Sequence, residues 1–401
     1  MSALYLYDDA QARGFAPFSL TRPASELRAG AVLVRQRWEA AFQRSAAGFV
    51  SAAHLADFVE AGAPPAVSER VPEGSIIANS RCLVPLDWRA EDADVFVSGG
   101  RIAAVRLGRE MPLGEFADGA VTLETLSVKG SRTTEMRGRW MDDIWSFIVD
   151  LLPLLREDIL AIGSTLQCEI PAHVSVVGSG AVFLERGAIV EPHVVIDTSA
   201  GPALVRRGAT VRAFTRLVGP CAVSSGAVIL GDRVHGCSIG EDSFVRGELS
   251  ETIVLGQSNK SHDGFVGHSY LGRWVNLGAG TITSNLKNTY GTVTLWTPGG
   301  ARETGVLKLG SFFGDHVKTG IGMRLTTGTV IGAGANVYGT AIPPKYVPPF
   351  SWGEGDSLGE YRVDKFLEIA ERAMARRQVP LDARAKRQLA VAHELGRRSS
   401  T

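Results

Sequence analysis

SNKSHDGFVGHSYLGRWVNLGAGTITSNLKNTY, residues 258–290, is the stretch on which the reading turns. Phe265, Leu271, Leu277 and Thr283 stand six apart in it, and among them lie polar groups that the spacing does not require: Lys260, His262, Asp263, His268, Asn276, Asn285 and Lys287. A step of six held over many turns, with glycines and turn formers between, is not the pattern of one helix or one long strand. It fits a parallel β-helix, in which three short strands make one triangular coil and each strand turns an apolar residue inward.

The step extends in both directions. Val205, Val211, Leu217, Val223 and Ile229 keep it without slip, and chance seldom holds such a phase. Ile170, Val176 and Val182 carry it further upstream, Ile189 with Val195 and Ile239 with Val245 in between. Breaks at 198–202 and 248–260 read as loops ejected from a coil. Downstream the period returns within 309–334, and the proline-rich 343–349 is expected to end the ladder, since proline lacks the N–H it needs. Residues 358–377 have a helical apolar stripe (Tyr361, Phe366, Ile369, Ala370, Ala373), and a second helix is expected over 382–395. These helices are expected to cover the open end of the β-helix or a neighbouring subunit.

Residues 1–135 read as a short α/β domain. An apolar run, Leu4 to Tyr7, ends at Asp8-Asp9; a helix is expected over 25–41 and strands at 48–51, 75–78, 95–98, 101–105 and 121–124. Alternating strands and helices favour a mostly parallel sheet, with ligands beyond its carboxyl ends. That puts Thr21, Arg22 and Arg28 near a ligand. Guanidinium groups match phosphate in two-pronged fashion, but the same arginines could equally pair with Asp8, Asp9 or Glu26. Residues 136–164 read as a linker helix with Asp142 and Asp143 in its first turn and its aromatic residues in interdomain packing. The division is thus 1–135, 136–164, a β-helix over 165–350, and a helical cap over 351–401.

Bulk composition sets outer limits. A chain of 401 residues is too long for one core. Its 42 basic and 42 acidic residues cancel, which gives no global field for nucleic acid or a membrane surface. The four cysteines lack metal or redox spacing, no His/Asp/Glu set has zinc spacing, and no long apolar run spans a bilayer. With acids where a signal peptide carries bases, the expectation is a cytoplasmic protein.

HDGFVGHSYLGRWVNLGAGTITSNLKN resembles the acetyltransferase signature of the bifunctional bacterial UDP-N-acetylglucosamine pyrophosphorylase/glucosamine-1-phosphate N-acetyltransferase family. VNLGAGTIT (275–283) carries the likeness, together with LTRPASELRAG (20–30), which is similar to a GlmU-like sugar nucleotidyltransferase group. The resemblance implies an α/β nucleotidyltransferase-like domain followed by a left-handed hexapeptide β-helix. It implies His262 as general base, Asn285 as a positioning residue, and Lys260, Lys287 and Arg246 facing a substrate phosphate. It further implies acetyl-CoA as co-substrate, sugar phosphate and nucleoside triphosphate as ligands, a homotrimer, and Mg²⁺ where the first domain is active. His268 and His316 read as ligand-lining or core-edge residues. Two departures stand out: Phe265 replaces the family's tyrosine, and the GxGTRM…PK phosphate loop is missing, with Ile77-Ala78-Asn79-Ser80-Arg81 at the expected metal-binding strand end. Three functions remain open: acetyl transfer with nucleotidyl transfer, nucleotidyl transfer on an oligomerising β-helix, and a non-catalytic sugar-nucleotide-binding regulator.

Overall fold

A computed structural model describes residues 2–128 and 130–398. Met1, Lys129 and 399–401, which the expected first and last domains include, lie outside the described residues.

The apolar Leu4–Tyr7 is the hub of the first domain. It pairs in parallel with Ala46–Val50 on one side and Ile76–Asn79 on the other. Arg101–Arg106 then pairs antiparallel with Ile76–Asn79 and with Val95–Ser98, and Thr133–Glu135 adds the far edge. The sheet is therefore mixed. Four of the expected strands are present within a residue or two, but 121–124 is not one: Leu123–Leu126 is a helical turn. The helix expected over 25–41 covers only Val34–Phe42. Ahead of it, Arg28–Ala29 and Val32–Leu33 form a tight hairpin whose turn residue, Gly30, has φ +62°; a side chain there would collide with Asp158 and Arg37. The linker also breaks. Arg139–Trp140 is a strand paired with Cys82–Leu83, and helices follow at Ser146–Val149 and Leu151–Gly163. Pro153 falls in the first turn of the second helix, where its missing N–H costs nothing. Asp142 and Asp143 lie ahead of both helices and pair with Arg81, Arg101 and Arg302.

From Ser175 the chain winds as a left-handed parallel β-helix of about 10 turns. Its first face stacks six strands from Ser175–Val177 to Val266–Gly267, and its second stacks nine from Val182–Leu184 to Tyr346–Val347. The third runs from Ile189–Val190 to Asn259–Lys260 and resumes at Lys318–Thr319. Val205, Val211, Leu217, Val223 and Ile229 are wholly buried, as the hexads require. Elsewhere the phase slips by one: Ile196 and Val266 point inward where Val195 and Phe265 were expected, and Ile170, Val176 and Ile189 are exposed on the first coils. Residues 248–260 are not ejected but supply a regular coil. The ejected segment is instead 284–311, a hairpin of Thr294–Thr297 and Gly300–Glu303 closed at its neck by the Leu286–Lys308 bridge. The prolines of 343–349 do not stop the ladder. They flank Tyr346–Val347, which pairs with Val330–Ile331, and the solenoid ends only at the hairpin of Ser351–Glu354 with Ser357–Glu360.

The helices Val363–Ala375 and Ala383–Arg398 lie along the flank of the solenoid and reach its last coil, where Phe366 and His393 meet Phe350 and Arg397 pairs with Glu360. Phe366, Ala370, Met374, Leu389 and Ala392 pack with Trp274 and Phe350 of the solenoid, and Arg387 pairs with Asp57 of the first domain at 3.0 Å. One buried core runs from Leu6, Phe18 and Trp38 through Leu154 to Leu204, Ala222, Ile253, Tyr270 and Phe312 on the second face. The ring of Phe147 meets Tyr270 there, so the linker aromatics do pack between the two halves. The sheet and the solenoid are fused side by side.

Candidate active site

The residues expected to face a phosphate are mostly committed elsewhere. Lys260 stacks on Val245 in the inward ladder of the third face and is 1% exposed. Its ammonium turns back to the backbone carbonyls of Arg246 and His262, tying down the 261–264 loop. Burial pushes its pKa down to about 8, with Asp263 and Asp232 acting in the opposite direction. Arg246 is a surface residue held by Asp232 and Asp263. Lys287 donates to the carbonyl of Thr292 and closes a turn in the ejected hairpin.

Arg22 and Arg28 are internal struts. Arg22 is 2% exposed, with Nε 2.9 Å from Asp315 and a terminal nitrogen 2.7 Å from Glu60; Thr21 donates to the same Asp315 carboxylate. Arg28 is 1% exposed, reaches Glu241 at 2.5 Å, and exchanges two backbone hydrogen bonds with the Tyr270 hydroxyl. Asp8, Asp9 and Glu26 are not their partners: Glu26 pairs with Arg35 and Asp9 with Arg81. The two arginines bind the first domain to the solenoid.

His262 and Asn285 are not brought together. His262 is exposed on the 261–264 loop, and among the described residues no hydrogen bond or ion pair orients its ring. Asn285, at the neck of the ejected segment, faces His268 instead, with its Nδ2 2.9 Å from His268 Nδ1. His268 is 8% exposed, at a corner between the first and second faces, and holds φ +49° against the usual preference of a side-chain-bearing residue. Its other nitrogen, Nε2, lies 3.4 Å from Glu251. Burial lowers the imidazole pKa, Glu251 opposes this, and Lys308 and His235 add to it. With the Asn285 N–H turned to Nδ1, the ring proton sits on Nε2. With Oδ1 turned to Nδ1–H, Nε2 is free to accept a proton. The amide thus sets the tautomer, and Glu251 stabilises the imidazolium that would form. This pair was missed in the sequence, although its two members lie in the quoted stretch.

The first domain offers a second cleft, of about 340 Å³, at the carboxyl ends of Leu4–Tyr7 and Ile76–Asn79. This is where chain direction switches in the sheet. Asp9 caps the helix Ala10–Arg13 and accepts from Asn79 and Arg81. Against the upward push of burial, Arg81 and Asn79 hold its pKa below the ordinary value. Arg81 and Arg101 also share Asp142, and Arg101 lies 3.8 Å over Trp140. Mg²⁺ needs carboxylate oxygens free to ligate. Asp9 and Asp142 are both engaged by arginine, so these residues do not fit the ion. Among the described residues no three His, Cys, Asp or Glu side chains are placed to hold a metal.

Residues 4–165 match the sugar nucleotidyl transferase family. The chain is 37% identical over 95 residues to the bifunctional sugar-1-phosphate nucleotidylyltransferase/acetyltransferase of Sulfurisphaera tokodaii, covering 24% of each chain. It is 26% identical over 250 residues to the bifunctional protein GlmU of Bordetella parapertussis, covering 59% of this chain and 50% of that one. The chain spans half or less of these relatives. A solved Arabidopsis UDP-N-acetylglucosamine acyltransferase aligns at 15% identity over 52% of this chain and 80% of its own, with a TM-score of 0.19, too low to carry weight. No helix among the described residues is long and apolar enough to cross a membrane.

Proposed function

We propose that the chain is a bifunctional sugar-phosphate transferase in which the solenoid moves an acetyl group from acetyl-CoA to the amine of an amino-sugar phosphate, with His268 as base. The observation that carries this is the His268–Asn285 pair backed by Glu251. An oriented imidazole is a better base than the ring of His262, because Asn285 and Glu251 hold it in place before substrate arrives. In this scheme Asn285 turns its Oδ1 to Nδ1–H, which leaves Nε2 unprotonated; the amine nitrogen attacks the thioester carbonyl and gives its proton to His268 Nε2, where Glu251 balances the charge. The carbon–sulfur bond then breaks, and the thiolate takes that proton. The match over 4–165 supports a sugar-phosphate and nucleoside triphosphate site at the switch-point cleft, where a phosphate would have to displace Asp142 from Arg81 and Arg101. We assign the protein to the cytoplasm and to a homotrimer whose neighbouring subunits close over acyl-CoA; a monomeric mass by light scattering would contradict the latter.

The test is thiol release from acetyl-CoA with glucosamine 1-phosphate. His268→Gln is expected to lower kcat by about 10²–10⁴-fold, the usual range for a general base. His262→Ala is expected to keep the wild-type kcat, whatever its effect on KM. The wild-type rate should rise with pH through a midpoint below 6.5, since the base works deprotonated and burial lowers its pKa. Full activity in His268→Gln, or its loss only in His262→Ala, would overturn the assignment.

A further inference from the structure

The third face of the solenoid carries an outward ladder of Phe244, Asn259, Asn276, Lys318, Asn336 and Trp352. Helix Val363–Ala375 crosses it and leaves a cavity of about 750 Å³. Four basic side chains line that cavity, Lys318 from the solenoid and Arg372, Arg376 and Arg377 from the end of the helix, together with His262; among the described residues no carboxylate lines it. Trp274, Ile369 and Ala373 supply an apolar wall.

Two of these cations already have partners. Arg372 pairs with Glu368 outside the cavity, while Arg377 lies 4.0 Å over the ring of Phe244 and donates to Asn259 Oδ1 at 2.7 Å. The Lys318 ammonium and the Arg376 guanidinium have no hydrogen bond or ion pair among the described residues. The negative end of a helix favours arginines in its last turn. It does not account for Lys318 on the opposite wall. Burial pushes the Lys318 pKa down to about 8 with nothing to offset it; burial also lowers that of Arg377, with Asp242 opposing and the adjacent Arg376 adding to the shift. Such an excess of positive charge around a concave, partly apolar space is relieved by an anion, and phosphate oxygens suit both groups. The volume falls within the range of small-ligand sites.

We propose that this cavity is an organic-phosphate site, separate from the His268 corner, in which the phosphate bridges Lys318 and Arg376 and the body of the ligand rests on Trp274, Ile369 and Ala373. Sugar phosphates and the diphosphate of coenzyme A share this chemistry.

Isothermal titration calorimetry on the full chain with inorganic pyrophosphate, with no turnover required, tests the site independently of acetyl transfer. Wild type is expected to bind, more weakly as sodium chloride is raised. Lys318→Met and Arg376→Ala should each weaken binding about tenfold to a hundredfold, the usual worth of a charged hydrogen bond. Lys318→Met should keep the wild-type Tm or exceed it, because it removes an unpaired ammonium; Arg376→Ala, on a partly exposed helix end, serves as the second probe. Competition by glucosamine 1-phosphate or by coenzyme A would support the site and name its source. No heat from wild type with any of the three probes, or equal affinity in wild type and both variants, would overturn it.

Discussion

Lys260→Met probes how a charged side chain sits on the inner wall of a β-helix. Val245 lies on one side of it in the ladder, and Lys260 is 1% exposed. Burial lowers its pKa from the ordinary 10.5 to about 8. At about 1.4 kcal/mol per pH unit, that gap makes the charge cost about 3 kcal/mol in the folded state at pH 7. The ammonium also donates to the carbonyls of Arg246 and His262, worth about 1 kcal/mol each. Removing both effects leaves Lys260→Met more stable than wild type by about 1 kcal/mol at pH 7. The sign reverses with pH. Between about 8 and 10.5 the unfolded chain holds the proton and the folded chain does not, so wild type gains on the variant through that window. Above it the amine is neutral and still donates, and wild type should lead by about 2 kcal/mol. Urea denaturation followed by tryptophan fluorescence, at steps from pH 7 to 10.5, measures the difference. A stability difference that stays constant over that range would refute the buried, charge-bearing reading of Lys260.

Arg22→Met leaves Asp315, itself 2% exposed, as an uncompensated buried charge, and is expected to cost about 3–5 kcal/mol. Thermal unfolding should show the loss, and adding Asp315→Asn should recover part of it. Tyr270→Phe removes the hydroxyl that accepts from the Arg28 amide and donates to the Arg28 carbonyl, so a loss of about 1–3 kcal/mol is expected by chemical denaturation. An unchanged midpoint in either variant would contradict the buried interdomain contact.

The solenoid was legible where its coils keep a constant length. Val211 and Ile229 are 18 residues apart and stack directly, which is three hexads. Ile229 to Val245 is 16 residues, and Val245 to Lys260 is 15. A coil that shortens one corner keeps its strands in register but moves the apolar residue off the six-step, so Val266 rather than Phe265 faces inward. For the same reason the regular coil at 248–260 looked like an interruption. The real interruption, at 284–311, looked regular because its neck lies in the ladder. Proline misled in the opposite direction: it forbids a ladder N–H only at its own position, and the prolines of 343–349 stand outside the paired Tyr346–Val347.

The candidate site was legible only as a stretch, since its pairings are ones that spacing does not encode. His268 and Asn285 are 17 residues apart, and they meet because one coil returns the chain to the same corner. His262 matched a family pattern yet sits on a loop whose anchor, Lys260, turns inward. The TRPxxELR motif makes the same point on a larger scale. Its arginines suit a phosphate by chemistry, and nothing near them in sequence says otherwise. Asp315 and Glu241, which engage them, come more than 200 residues later, and Glu60 from a neighbouring loop. With those carboxylates in place, the motif holds the sheet against the solenoid. The cations left without a carboxylate, Lys318 and Arg376, are single residues outside any motif. The proposed phosphate site therefore rests on positive charge left free in a cavity, and not on an arginine-rich signature.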